Sequence, residues 1–385
     1  MIVRQAMTLD ATRAKVPEPM TPFRFPLRKV SLPDRRALSP YIDRIDASGM
    51  YSNYGPLELE FEERLAGHFG CNPGELVALA NATIALTLAL NFLNARPGAK
   101  CLVPSLTFLA SPASALAAGL TPFFMDIDRE TATASPALAE QALAAAGGPG
   151  EVAAVMPVST YGAPSDLTAW KAFQDRTGVP VIIDAAWCFD NARAASLPQC
   201  ISLHATKVFG AAEGGVFICS DVDAVTHVRK RANFGILPDR RVLIPGINGK
   251  MSEYHAAVGL AGLAEWPKRR AKTLELQGWY LDALARVPGL RVMPGLDNTW
   301  AGGTIAVIFD KPAQGIAQAL ADKGIEARHW WGRPCHLQIA YEPFKKTDLT
   351  GTQWISERIL NLPFWLGMTE ADVACITEAV RAAAG

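Results

Sequence analysis

Short apolar runs alternate with amphipathic segments along most of the chain, and this pattern predicts a repeated strand-and-helix order. The runs that predict buried strands are residues 76–80, 101–108, 122–128, 152–159, 179–186 and 216–220. The segments between them that predict helices are residues 81–92, 110–118, 136–146, 167–177 and 224–232. Alternation of this kind indicates an α/β fold with a mostly parallel sheet flanked by helices. The site of such a fold lies outside the carboxyl ends of the strands.

The two ends of the chain follow other patterns. Prolines 17, 19, 22 and 26 predict an extended arm, which is followed by a helix over residues 34–48. A turn at residues 52–56 precedes an amphipathic helix over residues 57–69.

Beyond residue 253 the pattern predicts a helix that breaks at Trp266–Pro267 and a second helix up to Ala285. A strand (303–309), a helix (314–323), a strand (326–331) and a final helix (369–384) then predict a smaller C-terminal α/β domain. We therefore divide the chain into an arm (1–50), a large domain (51–250) and a small domain (251–385).

Charge and composition narrow the choice of partners. The chain has 385 residues, with 37 basic and 37 acidic side chains, and half of its residues are hydrophobic. A net charge of zero disfavours nucleic acid and anionic membranes as partners, so a small-molecule partner is expected. The sequence has no apolar run typical of a signal peptide or a membrane span. The seven cysteines have no spacing typical of a metal site or a disulfide framework, which favours a reducing cytoplasm and predicts no metal.

The stretch Ser202-Leu-His-Ala-Thr-Lys207, followed by Glu213-Gly-Gly, carries the candidate chemistry. A lone lysine is usually a surface residue, but Lys207 stands among hydroxyls, a histidine and glycines, and Asp184 ends the apolar run before it. Together these residues supply an amine for an imine, an acid for a pyridinium nitrogen and hydroxyls for a phosphate. That set predicts a site for pyridoxal 5′-phosphate, with Lys207 and Asp184 as its catalytic residues.

These motifs, together with Asp184-Ala-Ala, resemble the DegT family of sugar aminotransferases, in the family's order from about Tyr51 to the last helix. The resemblance implies a fold-type I aminotransferase that binds pyridoxal phosphate. It also implies a ping-pong Schiff-base mechanism, in which an amino group moves from L-glutamate to a keto-sugar carried on a nucleotide.

The resemblance also assigns cofactor contacts. Ala82 and Thr83 match the family's phosphate-binding Gly-Thr pair, Phe108 matches an aromatic that stacks on the ring, and Ser202 adds a hydroxyl. Asn248 matches an asparagine that reaches the neighbouring subunit's phosphate, which implies a homodimer with shared active sites. Without the family context, Ala82 and Thr83 indicate only a capped helix, Phe108 indicates a core aromatic, and Asn248 is equally compatible with a simple turn.

One cofactor position departs from the family pattern. Trp187 stands where the family has glutamine or histidine beside the cofactor's phenolic oxygen. An indole can only donate a hydrogen bond, so the resemblance does not assign how that oxygen is tuned.

The substrate contacts that the resemblance implies lie in several separate segments. They are Tyr54, His204, Lys250, Arg333 and His336. An arginine is best suited to a diphosphate, although loop arginines and histidines are often only solvated.

The motifs are most similar to enzymes that aminate C4 of a 4-keto-6-deoxyhexose linked to dTDP or GDP. Amination at C3, a cyclitol ketone as acceptor, glutamine as donor, another pyridoxal phosphate reaction and a non-catalytic regulatory role stay open.

Overall fold

A central sheet with helices on both faces forms the larger part of the computed structural model, which describes residues 23–237 and 239–385. Its helices are α1 (Arg35–Ser48), α2 (Pro56–Phe69), α3 (Ala82–Phe92), α4 (Ala110–Ala117), α5 (Pro136–Ala145), α6 (Leu167–Thr177), α7 (Val222–Ala232), α8 (Glu253–Leu284), α9 (Gln314–Ala321), α10 (Thr350–Ser356) and α11 (Glu370–Ala384). Its strands are β1 (Leu76–Leu79), β2 (Lys100–Pro104), β3 (Thr121–Met125), β4 (Val152–Val155), β5 (Ile183–Asp184), β6 (Gln199–Ser202), β7 (Gly215–Ile218), β8 (Leu290–Val292), β9 (Ile305–Phe309) and β10 (Ile359–Leu362).

The central sheet has the order β3-β2-β4-β5-β6-β7-β1. Parallel bridges from Val155 to Val181 and from Val158 to Asp184 join β4 to β5. Strand β7 is antiparallel to both of its neighbours, and the other pairs are parallel. The predicted mostly parallel sheet is therefore confirmed.

Alternate residues of the strands pack into two different hydrophobic clusters. In β2, Leu102 belongs to one cluster, whereas Cys101 and Val103 belong to the other. Because helices cover both faces of the parallel sheet, both sets of side chains are buried, and the strands are continuous apolar runs in the sequence. Each strand is thus held on both sides, and the loops at its carboxyl end have a rigid base.

A second, antiparallel sheet with the order β10-β9-β8 packs with α9 and α11 in the C-terminal part of the chain. This sheet has its own hydrophobic cluster, which includes Phe309 and Tyr280. The division into an arm, a large domain and a small domain stays a prediction. Three of the arm's four prolines, at positions 17, 19 and 22, lie outside the described residues.

Two predicted elements differ from the structure. Helix α8 runs without a break through Pro267. Trp266 is buried against the rings of His68, Phe189 and Phe209, and the helix as a whole packs on α1, α2 and α11. This packing outweighs the one hydrogen bond that proline cannot make. The predicted strand over residues 326–331 is also wrong. Among the described residues that segment pairs only through Arg328 with Asn361, and a turn begins at Trp330.

Candidate active site

A cavity of about 240 Å³ opens at the carboxyl ends of the parallel strands. Residues that follow β1, β2, β4, β5 and β6 line it, as parallel-sheet topology predicts. Eight of the thirteen predicted site residues line this cavity: Ala82, Thr83, Phe108, Asp184, Trp187, Ser202, His204 and Lys207. Residues distant in sequence are thus brought into one concave site.

The first turn of α3 forms one end of the cavity. Asn81 caps this helix, since its Oδ1 accepts a hydrogen bond of 2.9 Å from the amide of Ile84. Gly215 lets β7 approach closely here, because a Cβ at that position would lie 2.5 Å from the Ala82 nitrogen. Free amides at a helix start favour an anion, so this end suits a phosphate.

Asp184 lies on the floor of the cavity and is 4% exposed. Its Oδ2 accepts a hydrogen bond of 2.6 Å from the Ser111 hydroxyl, and its Oδ1 accepts one of 3.2 Å from the Ala186 amide. Burial raises the pKa of Asp184, and these two hydrogen bonds oppose the rise. The carboxylate is therefore fixed in position, and a nearby cation would stabilise its charge. Sequence analysis did not identify Ser111, because nothing in its local pattern marks it.

Lys207 lies on the cavity wall with its Nζ 3.9 Å from the centroid of the Trp187 ring. Removal of the amine from solvent lowers the pKa of Lys207 to about 7, and Arg28 adds to this effect while Asp184 opposes it. Near neutral pH a large fraction of this amine is therefore unprotonated. An unprotonated amine is the form that reacts with a carbonyl group.

Packed aromatic rings form one wall of the cavity. The Trp187 ring packs edge-on against Trp330 and Tyr161, and Tyr161 stacks on Trp331 with centroids 4.4 Å apart. Both Trp330 and Trp331 line the cavity. Sequence analysis placed these two tryptophans only in a strand, although adjacent tryptophans near a predicted site could have indicated a ligand-facing surface. Phe108 also lines the cavity and is 59% exposed.

The polar rim comes from the loop between β6 and β7. The His204 Nδ1 lies 2.7 Å from the Thr206 hydroxyl, and its Nε2 lies 3.5 Å from Glu213. Ser202 is buried at the strand end and its hydroxyl accepts from the His204 amide. The loop that carries Lys207 is thus held by hydrogen bonds within the motif itself.

Three predicted site residues lie together elsewhere, around the start of α2 and residue 250. The Tyr54 hydroxyl donates to the Arg229 carbonyl, and the Lys250 Nζ donates to the Asn248 Oδ1 at 3.0 Å. Tyr54 and Lys250 are each close enough to Glu58 for its charge to affect their pKa. Asn248 is exposed. None of the three lines the cavity of the described chain.

Arg333 and His336 also lie outside the cavity lining of the described residues. Arg333 is exposed, whereas His336 is 5% exposed, with its Nδ1 2.7 Å from the Ser105 hydroxyl. The Cys335 amide donates to the Ser105 carbonyl, which fastens this loop behind the cavity wall. Contact of Arg333 and His336 with substrate stays a prediction.

Comparison with known proteins identifies the class of site. The profile of the DegT/DnrJ/EryC1/StrS aminotransferase family matches residues 34–381, and the chain belongs to this family. A dTDP-4-amino-4,6-dideoxy-D-glucose transaminase of Escherichia coli is 28% identical over 355 residues, which are 90% of this chain and 88% of that protein.

Solved structures agree with this assignment. DesI, solved in the presence of its TDP-sugar product, has a TM-score of 0.82 and 31% identity over 94% of this chain and 93% of its own. A structure from Bacillus cereus ATCC 10987, assigned as a PLP-dependent aminotransferase, has a TM-score of 0.86 and 29% identity over 92% of this chain and 99% of its own. The protein is a sugar aminotransferase with the predicted fold, and its cofactor is pyridoxal 5′-phosphate.

The cavity fits this cofactor. It offers free helix amides at one end, a buried carboxylate on the floor and an amine of low pKa on the wall. These groups match a phosphate, a ring nitrogen and an aldehyde.

None of the helices in the described residues combines the length and the hydrophobicity that a membrane span requires.

Proposed function

We propose that this aminotransferase moves an amino group from L-glutamate to C4 of a nucleotide-linked 4-keto-6-deoxy sugar, in two half-reactions that share one site. The observation that carries the proposal is the shared cavity of Lys207 and Asp184, with the start of α3 at its end. The names of the E. coli transaminase and of the DesI complex support a nucleotide sugar as substrate.

Lys207 and Asp184 are the proposed catalytic residues. Pyridoxal phosphate, when bound, supplies an aldehyde that exchanges amines and a ring that takes up an electron pair. Lys207 would attach the cofactor, and in each half-reaction it would move a proton between the substrate carbon that carries the nitrogen and the C4′ carbon of the cofactor. A pKa of about 7 suits this task. Asp184, held by Ser111, would keep the ring nitrogen protonated.

The remaining cavity residues would hold the cofactor. Ala82 and Thr83 present the first amides of α3 to the phosphate, and Ser202 supplies a hydroxyl. Phe108 would cover one face of the ring. Trp187 offers the phenolic oxygen only an indole N–H or an aromatic face, so the residue departs from the family pattern in function as well as in sequence.

The group around residue 250 supports a homodimer with shared active sites. Asn248 is exposed beside Lys250, and the segment before it exposes Val242 and Leu243 at 58% and 64%. Large exposed apolar side chains on a loop are typical of a surface that another subunit covers. In that dimer Asn248 would reach the neighbour's phosphate, and Tyr54 and Lys250 its substrate.

The tryptophan wall supports a deoxy sugar as the acceptor. Trp330 and Trp331 line the cavity, and their indole rings are apolar surfaces against which a methyl-bearing sugar ring can pack. His204 at the rim would bond a sugar hydroxyl. Remote nucleotide contacts would then hold the keto carbon in place, so free keto-sugars should react slowly.

A two-stage spectroscopic experiment tests this proposal. L-Glutamate, L-glutamine or L-alanine is added to the holoenzyme while the cofactor absorbance is followed. We expect glutamate to bleach the band and to release one 2-oxoglutarate per site. The bleached enzyme is then mixed with dTDP- or GDP-4-keto-6-deoxyhexoses, a free keto-sugar or a cyclitol ketone, and NMR identifies the aminated carbon.

Return of the band with a nucleotide-linked 4-keto sugar, and product aminated at C4, is the expected result. Amination at C3 would refute the ring position, and equal rates with unlinked ketones would refute the nucleotide sugar. If glutamate fails while glutamine bleaches the band, the donor assignment is wrong.

A further inference from the structure

A second, smaller cavity adjoins the active site and has an unusual electrostatic composition. Arg28, Lys29, Lys207 and Arg269 line it, and we call it the arginine cavity. None of its thirteen lining residues is acidic. Lys207 lines both this cavity and the active-site cavity, so the two cavities are neighbours on either side of one residue.

Arg269, on α8, is 9% exposed and only partly satisfied. Its Nη2 donates to the Ser31 carbonyl at 2.7 Å, but its buried Nε and Nη1 have no hydrogen-bond partner among the described residues. Glu265, one turn earlier on α8, raises the pKa of Arg269 through its charge, but in the described chain it makes no hydrogen bond to the guanidinium. A buried guanidinium with two unpaired donor nitrogens is costly unless an anion or water satisfies it.

Arg28 likewise has a buried hydrogen-bond donor that is unsatisfied among the described residues. Its Nη1 donates to the Gly303 carbonyl at 2.8 Å, whereas its buried Nε is unpaired in the described part of the chain. Its guanidinium lies 5.7 Å from the ring centroids of both Trp187 and Trp330, so the same side chain borders the aromatic wall of the active site. Desolvation lowers the pKa of Arg28 to about 10. A negative charge placed beside it would relieve that cost.

The size of the arginine cavity limits what it can bind. It has about 40 Å³ of free space. That is room for roughly three water-sized atoms, since each needs roughly 10–15 Å³. A carboxylate, with three heavy atoms, fits this space, whereas a sugar ring or a nucleotide does not. Guanidinium groups are also the best-matched partners for a carboxylate, because they can donate two parallel hydrogen bonds.

We propose that the arginine cavity binds a carboxylate of the amino-acid donor and of its 2-oxo acid product, with Arg28 and Arg269 as the binding side chains. The proposal rests on the proposed aminotransferase function and adds the residues that select the donor. Both the α-carboxylate and the side-chain carboxylate of glutamate have the required chemistry. A donor held there would place its reacting atoms near Lys207, whereas the nucleotide sugar would use the larger cavity.

Calorimetric titration of the holoenzyme tests the site without turnover. The probes are 2-oxoglutarate, pyruvate and sodium sulfate, which carry no amine and therefore cannot aminate the cofactor. We expect 2-oxoglutarate to bind the parent enzyme. Its affinity should fall about 10-fold or more in Arg28→Gln and in Arg269→Gln, because each variant lacks a charge-assisted hydrogen bond to the carboxylate. Lys268→Gln is the matched control, since it removes one exposed positive charge from α8 beside Arg269 and should leave binding unchanged.

The outcomes separate the two carboxylates and the two proposals. If 2-oxoglutarate and pyruvate weaken equally in the arginine variants, the α-carboxylate occupies the cavity, and if only 2-oxoglutarate weakens, the side-chain carboxylate does. Unchanged 2-oxoglutarate affinity in Arg28→Gln overturns the proposed site. This test holds even if Arg269→Gln cannot be measured because loss of its Ser31 contact prevents folding. Bleaching by glutamate at the parent rate in Arg28→Gln would likewise reject this site while leaving the proposed function intact. Binding of sulfate alone would mean a general anion site and would contradict donor recognition.

Discussion

Replacement of Gly303 by alanine should disturb the active site through the ring of Trp187. A Cβ at position 303 would lie 2.7 Å from Cζ3 and 2.8 Å from Cε3 of Trp187, whereas ordinary contacts begin near 3.4 Å. The ring must therefore retreat by at least 3.4 − 2.7 = 0.7 Å. Trp187 is only 4% exposed and packs against Trp330 and Tyr161, so it has little room to do so. The displacement would also reach Lys207, whose amine lies on the same ring.

Overpacking of this kind costs about 1–3 kcal/mol of unfolding free energy. We expect Gly303→Ala to lose that amount in urea unfolding, and to change both the near-ultraviolet circular dichroism of the tryptophans and the cofactor absorbance. The matched control is Gly315→Ala in α9, where an added Cβ meets nothing within 4 Å and the backbone is helical. That control should gain about 0.5–1 kcal/mol, because alanine favours a helix over glycine.

A double-mutant cycle decides whether Trp187 is the cause. Trp187→Phe removes the ring atoms that collide with the new Cβ, so Gly303→Ala should cost little in that background. An equal cost in both backgrounds, or a Gly303→Ala variant as stable as the parent with unchanged tryptophan signals, would refute the reasoning.

Three further predictions concern the catalytic groups and the dimer. Attachment of cofactor to the apoenzyme needs an unprotonated Lys207, so the attachment rate should rise with pH through a midpoint near 7. Stopped-flow absorbance measures this rate, and a midpoint near the ordinary lysine pKa of 10.5 would contradict the lowered pKa. Asp184→Asn should reduce kcat by about 100-fold or more while cofactor affinity changes little, because a neutral amide no longer stabilises the protonated ring. Single-turnover rates equal to those of the parent enzyme would mean that Asp184 is only structural. Mixed dimers of inactive Lys207→Ala and Asn248→Ala chains should recover one intact site each, whereas a fully active monomer in light scattering would exclude a shared site.

Local signals explain which parts of the fold could be predicted from the sequence. Asn81 before an apolar helix and Asp34 before α1 are capping residues that mark a helix start without tertiary information. The convergence of Asp184 and Lys207 followed from strand order alone, since parallel strands present their carboxyl ends at one edge.

The misplaced elements depend on contacts that no local pattern reports. Pro267 predicts a helix break, but burial of the neighbouring Trp266 against Phe189 and Phe209 holds α8 together. The extended segment that leads to Trp330 looks like a strand in its apolar pattern, yet it has only a single bridge to β10. Ser111 bonds Asp184 but lies 73 residues before it in the chain, and Arg28 acts on Lys207 but lies 179 residues before it. Only the folded chain therefore identifies Ser111 and Arg28.

Chemical reduction of the cofactor-loaded enzyme tests the central assignment most directly. Borohydride makes the bond between pyridoxal phosphate and its lysine permanent, and peptide mass spectrometry then identifies the modified residue. We predict that the added mass lies on the peptide that contains Lys207, and that Lys207→Ala protein carries no such mass after the same treatment. A modification on any other lysine, or an unmodified parent enzyme that still transfers amino groups, would contradict the account.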